Sequence, residues 1–92
     1  MKKLDDLRAD LDEIDTEILG LLAKRFEKIK LTGELKKEKN MPILQKSREE
    51  VVINRARKAA LKNGIDPAYF EKIYEVIISS ARNLEQRIID GK

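Results

Sequence analysis

From Leu4 to about Lys39 the apolar positions recur in steps of three and four. Leu4, Leu7, Leu11, Ile14, Ile18 and Leu21 mark a seam along one face, which predicts a single continuous amphipathic helix. The next seam position holds Arg25, and the pattern resumes loosely through Ile29, Thr32 and Leu35. Gly33 falls inside this helix at some cost in propensity. Asn40, Met41 and Pro42 end it, because proline cannot continue a helix. Ser47 followed by Glu50 reads as a capping box that opens a second helix running to about Lys62, with Val52, Ala56 and Ala59 facing inward. Asn63-Gly64 supplies a left-handed stop. Asp66-Pro67 then opens a third helix, Asp as N-cap and Pro at the first helical position. Its seam is Phe70, Ile73, Ile77, Ala81, Leu84 and Ile88, and it ends near Asp90. No strand pattern or internal repeat competes. The reading is an all-α chain of one very long helix and two shorter ones, forming a single domain over residues 1–92.

The length of the first helix adds a constraint. Thirty-six residues at about 1.5 Å each span roughly 54 Å, whereas a compact domain of this size is only about 32 Å across. A helix that protrudes with apolar residues along its whole length needs a partner, and a homodimer supplies one with the fewest components. The expected architecture is therefore an intertwined homodimeric helical bundle.

Composition narrows the chemistry. Charged residues make up 40% of the chain but the net charge is only +3, so most charges belong to solvated helix faces of mixed sign. Such a balance does not point to nucleic acid. The chain has no cysteine and no histidine. Disulfides and thiol chemistry are excluded, and with histidine go the commonest general base and the commonest metal ligand. Any catalysis must use Arg, Lys and carboxylates, with no metal expected. No signal-peptide pattern or long apolar run is present, which predicts a soluble cytoplasmic protein away from membranes.

Several charges are hard to explain as surface. Arg25 sits on the seam itself, where a cation is costly unless an anion meets it. Lys36 follows eleven residues later, within roughly 20° of the same face and about 16 Å along the axis. The two could hold a small dianion between them, or could be neutralised by carboxylates of the bundle. Arg8 lies about 25 Å from Arg25, too far to share a small ligand on one helix. In an antiparallel dimer it could serve the partner's site; otherwise it is a salt bridge at the edge of the seam. Arg48 and Glu49 open the second helix, where the helix dipole alone is reason enough for an acid. Ile78, Ala81 and Glu85 lie along one flank of the third helix.

The run Leu7-Arg8, Ile14-Asp15, Leu21-Leu22-Ala23-Lys24-Arg25, Gly33-Glu34-Leu35-Lys36, Pro42-Ile43 and Arg48-Glu49 closely resembles the all-helical (AroQ-class) chorismate mutases over nearly the whole chain. Members of that family are intertwined homodimers of three-helix chains. They convert chorismate to prephenate, a committed step toward phenylalanine and tyrosine. The resemblance implies that Arg25, with Arg8 of the partner chain, grips the substrate carboxylates. Lys36 would bond a carboxylate and the ether oxygen of the breaking bond, Arg48 would add positive field, and Glu49 would accept from the ring hydroxyl. Thr32, Val52 and Ile78 would line the apolar walls. Three positions depart from the commonest pattern: Gln45 replaces an Asp that helps to bind the hydroxyl, and Ala81 replaces a Ser that touches a carboxylate. Glu85 stands where Gln usually bonds the ether oxygen, although Glu occurs there in the wider family.

The implied reaction suits the composition. It is a unimolecular rearrangement that needs no base, nucleophile, metal or cofactor. The protein has to hold the substrate in its reactive shape and stabilise charge growing on the ether oxygen. Two other readings carry the same residues differently. An isochorismate-pyruvate lyase uses a closely related site, and a non-enzymatic helical dimer would gather its basic residues on an exposed face with stacking aromatics.

Overall fold

The computed structural model describes residues 3–91; the outermost positions of the 1–92 domain expected from sequence lie outside the described residues. Three helices follow in order: α1 (Leu4–Lys39), α2 (Lys46–Lys62) and α3 (Pro67–Asp90). Among the described residues there is no strand. The all-α architecture and the single very long helix are as the periodicity predicts.

Each boundary has a local cause. At the start of α1 the Lys3 backbone N–H donates to Asp6 Oδ2 at 3.2 Å, and Asp5 and Asp6 place negative charge on the positive end of the helix dipole. The helix stops where Asn40 turns left-handed (φ 54°), a conformation that asparagine tolerates better than most residues. Met41 N–H then donates back to the Lys36 carbonyl at 2.8 Å. α2 ends at Lys62, and beyond its cap Asn63 the chain turns at Gly64 with φ 69°. Asp66 caps α3 by accepting from Ala68 N–H at 3.0 Å, with Pro67 at the first helical position.

The start of α2 differs from the sequence reading. The N-cap is Gln45, not Ser47, and the helix already includes Lys46 and Ser47. The reason is that Glu49 N–H bonds the Gln45 carbonyl at 3.0 Å, which makes the three intervening residues, Lys46, Ser47 and Arg48, helical. Ser47 is exposed within the first turn and caps nothing. Arg48 and Glu49 therefore occupy the third and fourth helical positions.

α3 is the shared element. It packs against α1 on one side and α2 on the other, while α1 and α2 do not pack together. Arg57 on α2 meets Glu71 on α3 at 2.9 Å, and Glu49 meets Arg82 at 3.1 Å, so these helices are antiparallel. Gly33 of α1 faces Glu85 and Ile88 of α3, and Lys37 Nζ reaches the Ile88 carbonyl at 3.3 Å. Farther back, Ile18, Leu21 and Leu22 share a groove with Phe70, Ile73 and Ile77, so α3 runs parallel to the second half of α1.

The close approach of α1 and α3 depends on Gly33. A Cβ there would stand 3.2 Å from Ile88 Cδ1 and 3.3 Å from the Glu85 Cα, inside ordinary van der Waals distance. The propensity that glycine sacrifices in mid-helix is exchanged for helix-to-helix contact next to Glu85.

The buried set is small: Gly33, Val52, Ala56, Ala60, Ile78, Ala81 and Glu85. On α2 Ala60 is buried and Ala59 exposed; the buried positions Val52, Ala56 and Ala60 keep a spacing of four along the face that packs on α3. On α3 the deepest stripe is the flank Ile78, Ala81 and Glu85, whereas Ile73 on the expected seam is 55% exposed. The first half of α1 extends past the end of α3, giving the chain extents of 57 × 26 × 13 Å. There Leu7, Leu11, Ile14 and Ile18 are 47–55% exposed. An apolar stripe of that length left uncovered is unusual for a single chain.

Candidate active site

The three helices leave a groove beside the α1–α3 contact. Arg25, Ile29, Thr32 and Lys36 come to it from α1, spaced by one turn each. Ile43 and Gln45 come from the loop, and Arg48, Glu49 and Val52 from the first turns of α2. Ile78, Ala81, Arg82 and Glu85 come from α3. The walls alternate in character. Ile29, Val52, Ile78 and Ala81 supply an apolar surface, and the charged side chains project from between them.

Lys36 is held from two sides. Its ammonium donates to the Ile43 carbonyl at 2.8 Å and lies 2.7 Å from Glu85 Oε1. The first contact pins the 40–45 loop to α1, and the second joins α1 to α3. Both side chains are largely covered, Lys36 at 12% and Glu85 at 5% exposure. A carboxylate that deep is tolerable only because a cation meets it. The pairing leaves something over, however. Glu85 Oε1 is buried and accepts no directed hydrogen bond from the described residues, although the ammonium stands beside it. The pair therefore presents a cation and an oxygen with hydrogen-bonding capacity side by side.

Arg25 is half-buried and stands where two grooves meet. One is the polar groove described above; the other is lined by Ile18, Leu21, Leu22, Phe70, Ile73, Tyr74 and Ile77. This gives the cation on the seam its place: it closes the polar site against an apolar trough. Arg48 also lines the groove and shares a second concavity with Arg25 and Arg55. Gln45 folds back on its loop, its Nε2 donating to the Pro42 carbonyl at 2.9 Å. Thr32 spends its hydroxyl on the Lys28 carbonyl at 2.9 Å, so it offers the groove mainly its methyl group. Arg82 was not marked by the sequence reading. It completes a spacing of i, i+4 and i+7 with Ile78 and Glu85, which places it on the same flank, and its Nε lies 3.1 Å from Glu49 Oε2.

Of the expected site residues, Arg25, Thr32, Lys36, Gln45, Arg48, Glu49, Val52, Ile78, Ala81 and Glu85 line this one groove. Arg8 does not. It is exposed, on the projecting half of α1, and reaches no site of its own chain.

A pocket that combines four basic side chains and two carboxylates with apolar walls, and holds neither histidine nor cysteine, suits a small dianion. Sequence comparison gives the same class of molecule. The family model for chorismate mutase type II matches residues 7–86. The chain belongs to the type II chorismate mutase family. A chorismate mutase of Methanocaldococcus jannaschii is 30% identical over 90 residues, covering 98% of this chain and 91% of that protein. A 4-amino-4-deoxychorismate mutase of Streptomyces pristinaespiralis is 35% identical over 86 residues, covering 94% and 67% respectively. The chain also matches a quarter of the bifunctional chorismate mutase/prephenate dehydratase of Aquifex aeolicus, at 36% identity over 91 residues. The chain is thus an enzyme, an isomerase of the chorismate mutase kind. No helix among the described residues is long and apolar enough to cross a membrane.

Proposed function

We propose that the groove binds chorismate as its dianion and rearranges it to prephenate, within the biosynthesis of phenylalanine and tyrosine. The observation that carries this reading is the convergence of Arg25, Lys36 and Arg48 on apolar walls, with Glu85 buried beside Lys36. The cations fix the two carboxylates of a flexible substrate, and the walls of Ile29, Val52 and Ile78 press the reacting ends together. Confinement of this kind contributes through entropy, since the reaction is intramolecular. As the C–O bond breaks, negative charge grows on the ether oxygen. Lys36 donates to it from a position already fixed by Ile43 and Glu85, so little reorganisation accompanies the charge. Glu85 holds the Lys36 ammonium at that oxygen through their 2.7 Å pair. Glu49 accepts from the ring hydroxyl, with Gln45 beside it, and Arg48 strengthens the positive field. Bonds form and break within the substrate alone, so no base or nucleophile is required of the protein.

The working unit is a homodimer in the cytoplasm. The exposed stripe on the first half of α1 and the open trough at Phe70, Ile73 and Ile77 support this, because each is apolar and neither is covered within the chain. A second chain laid along them brings its Arg8 to the Arg25 end of the groove, so that each site draws on both chains. The whole chain acts as one domain.

The experiment is to mix purified protein with chorismate and identify the product. Loss of chorismate with stoichiometric prephenate supports the reading. Failure to consume chorismate overturns it, and release of pyruvate from isochorismate instead would assign the groove to a lyase.

A further inference from the structure

Of the charged side chains lining the groove, Arg82 alone has no part in the contacts proposed above. It reaches from α3 to α2 and sets its Nε 3.1 Å from Glu49 Oε2. Both residues face the groove. Glu49 is the better covered of the two, at 25% side-chain exposure against 44% for Arg82. The carboxylate offered to the ring substituent is thus already neutralised by a guanidinium. Gln45, the neighbouring polar side chain, is uncharged and turned to the Pro42 carbonyl. The Arg82–Glu49 pair itself therefore carries no net charge, and Arg48, which also lines the groove, adds a positive one.

A carboxylate so paired discriminates between two substituents of similar size. A hydroxyl needs only an acceptor, and Glu49 remains one. An aliphatic amine is an ammonium near neutral pH. It would gain from an unpaired carboxylate but here meets one already claimed, with a like charge beside it. The family relatives are named for these two substrates, chorismate and 4-amino-4-deoxychorismate, which differ at that ring position. We infer that Arg82 is a specificity-determining, positioning residue: by pairing with Glu49 it tunes the groove to the hydroxyl substrate and against its amino counterpart. This rests on the reading that Glu49 receives the ring substituent.

The test measures kcat/KM for chorismate and for 4-amino-4-deoxychorismate with wild type, Arg82→Met, Arg82→Lys and Glu49→Gln, with helicity checked by circular dichroism. Arg82→Met keeps the apolar stem and removes the charge. It should raise the ratio of amino to hydroxyl substrate by about fivefold, the scale expected of a partly exposed ion pair. Arg82→Lys should return the ratio toward wild type. Glu49→Gln leaves Arg82 without its partner and should push the ratio below wild type. An unchanged ratio in Arg82→Met overturns the inference, while turnover of chorismate by wild type keeps the functional reading intact. An equal loss on both substrates also overturns it, because it places the guanidinium on a carboxylate they share. If Arg82→Met does not fold, Glu49→Gln decides: a ratio that rises there overturns the inference. Wild type inactive on both substrates overturns the functional reading and this inference with it.

Discussion

Lys36 Nζ and Glu85 Oε1 stand 2.7 Å apart across the α1–α3 contact, and the same ammonium donates to the Ile43 carbonyl. One side chain thus ties the long helix, the loop and the third helix together at the point where the proposed chemistry occurs. Stability and catalysis are coupled there, and a double substitution separates them. Lys36→Met leaves a buried carboxylate without its cation, a change that typically costs about 3–5 kcal/mol. The groove admits water, so the lower end of that range is expected. Turnover should fall by roughly a hundred- to a thousand-fold with the loss of a fixed donor to the ether oxygen. Adding Glu85→Leu removes the stranded charge, so urea denaturation should show much of the stability restored. Activity should stay lost. A double variant that regains turnover would show that Lys36 is structural only.

Glu85 gives a prediction of the opposite kind. Its carboxylate only accepts, whereas an amide of the same shape both accepts and donates. Glu85→Gln therefore adds a donor beside the Lys36 ammonium, where negative charge grows on the ether oxygen. It also gives up the 2.7 Å ion pair that fixes Lys36, while the bond from Lys36 to the Ile43 carbonyl remains. Turnover of chorismate should be kept or improved. A fall in kcat of roughly a hundredfold, with folding intact by circular dichroism, would show that the carboxylate is needed to hold Lys36 and that no second donor serves the ether oxygen.

Gly33→Ala tests the packing beneath this pair. The substitution improves helix propensity by about 1 kcal/mol. It also forces a Cβ to 3.3 Å from the Glu85 backbone, and overpacking of this kind costs about 1–3 kcal/mol. Ile88 Cδ1, the other close contact, can rotate away; the α3 backbone cannot. The expected result is a small net loss of stability, about 1 kcal/mol, with a proportionally larger loss of kcat as Glu85 shifts from Lys36. Thermal melts and steady-state kinetics on the same samples check both. An alanine variant that is more stable and fully active would show that α3 yields freely.

Most of the fold was legible because its signals are local. The α1 seam, Asn40 before Pro42, Asn63-Gly64 and Asp66-Pro67 each specify a backbone conformation through a side chain within a few residues. What sequence could not give depends on which face another helix covers. Ser47 has the chemistry of a cap, yet the Gln45 carbonyl captures Glu49 N–H first and the helix begins ahead of it. Ala59 and Ala60 are indistinguishable by type, and only the placement of α3 selects Ala60. Gly33 reads as a weakness in a helix until Glu85 and Ile88 are seen against it. At the groove, Arg25 and Lys36 were marked by their position on an apolar face. Arg82 was not, because a single arginine on an amphipathic helix carries no such contrast. Its spacing from Ile78 and Glu85 was the available sign.

The separation of Arg8 from the groove leads to the last prediction. Arg8 sits on the projecting half of α1, about 25 Å along the axis from Arg25, and is exposed in its own chain. If it serves the groove of a second chain, then neither Arg8→Ala nor Arg25→Ala leaves a complete site in its homodimer, and each should lose most activity. Arg8 is exposed and Arg25 half-buried in its own chain, so circular dichroism and native mass spectrometry of each variant alone establish that it folds and associates. Unfolding an equal mixture of the two and refolding it gives heterodimers for about half of the dimers by random pairing. In a heterodimer, one groove combines an intact Arg25 with an intact Arg8 from the other chain, and the second groove has neither. One site in four is then complete across the mixture, and activity should recover to about a quarter of wild type per chain. Homodimers mixed without unfolding should recover only as fast as chains exchange. Native mass spectrometry of chains carrying distinguishable tags confirms that heterodimers are present. A refolded mixture rich in heterodimers and as inactive as its parents would mean that Arg8 serves no partner's groove. The exposed stripe from Leu7 to Ile18 would then have to be explained by some other neighbour.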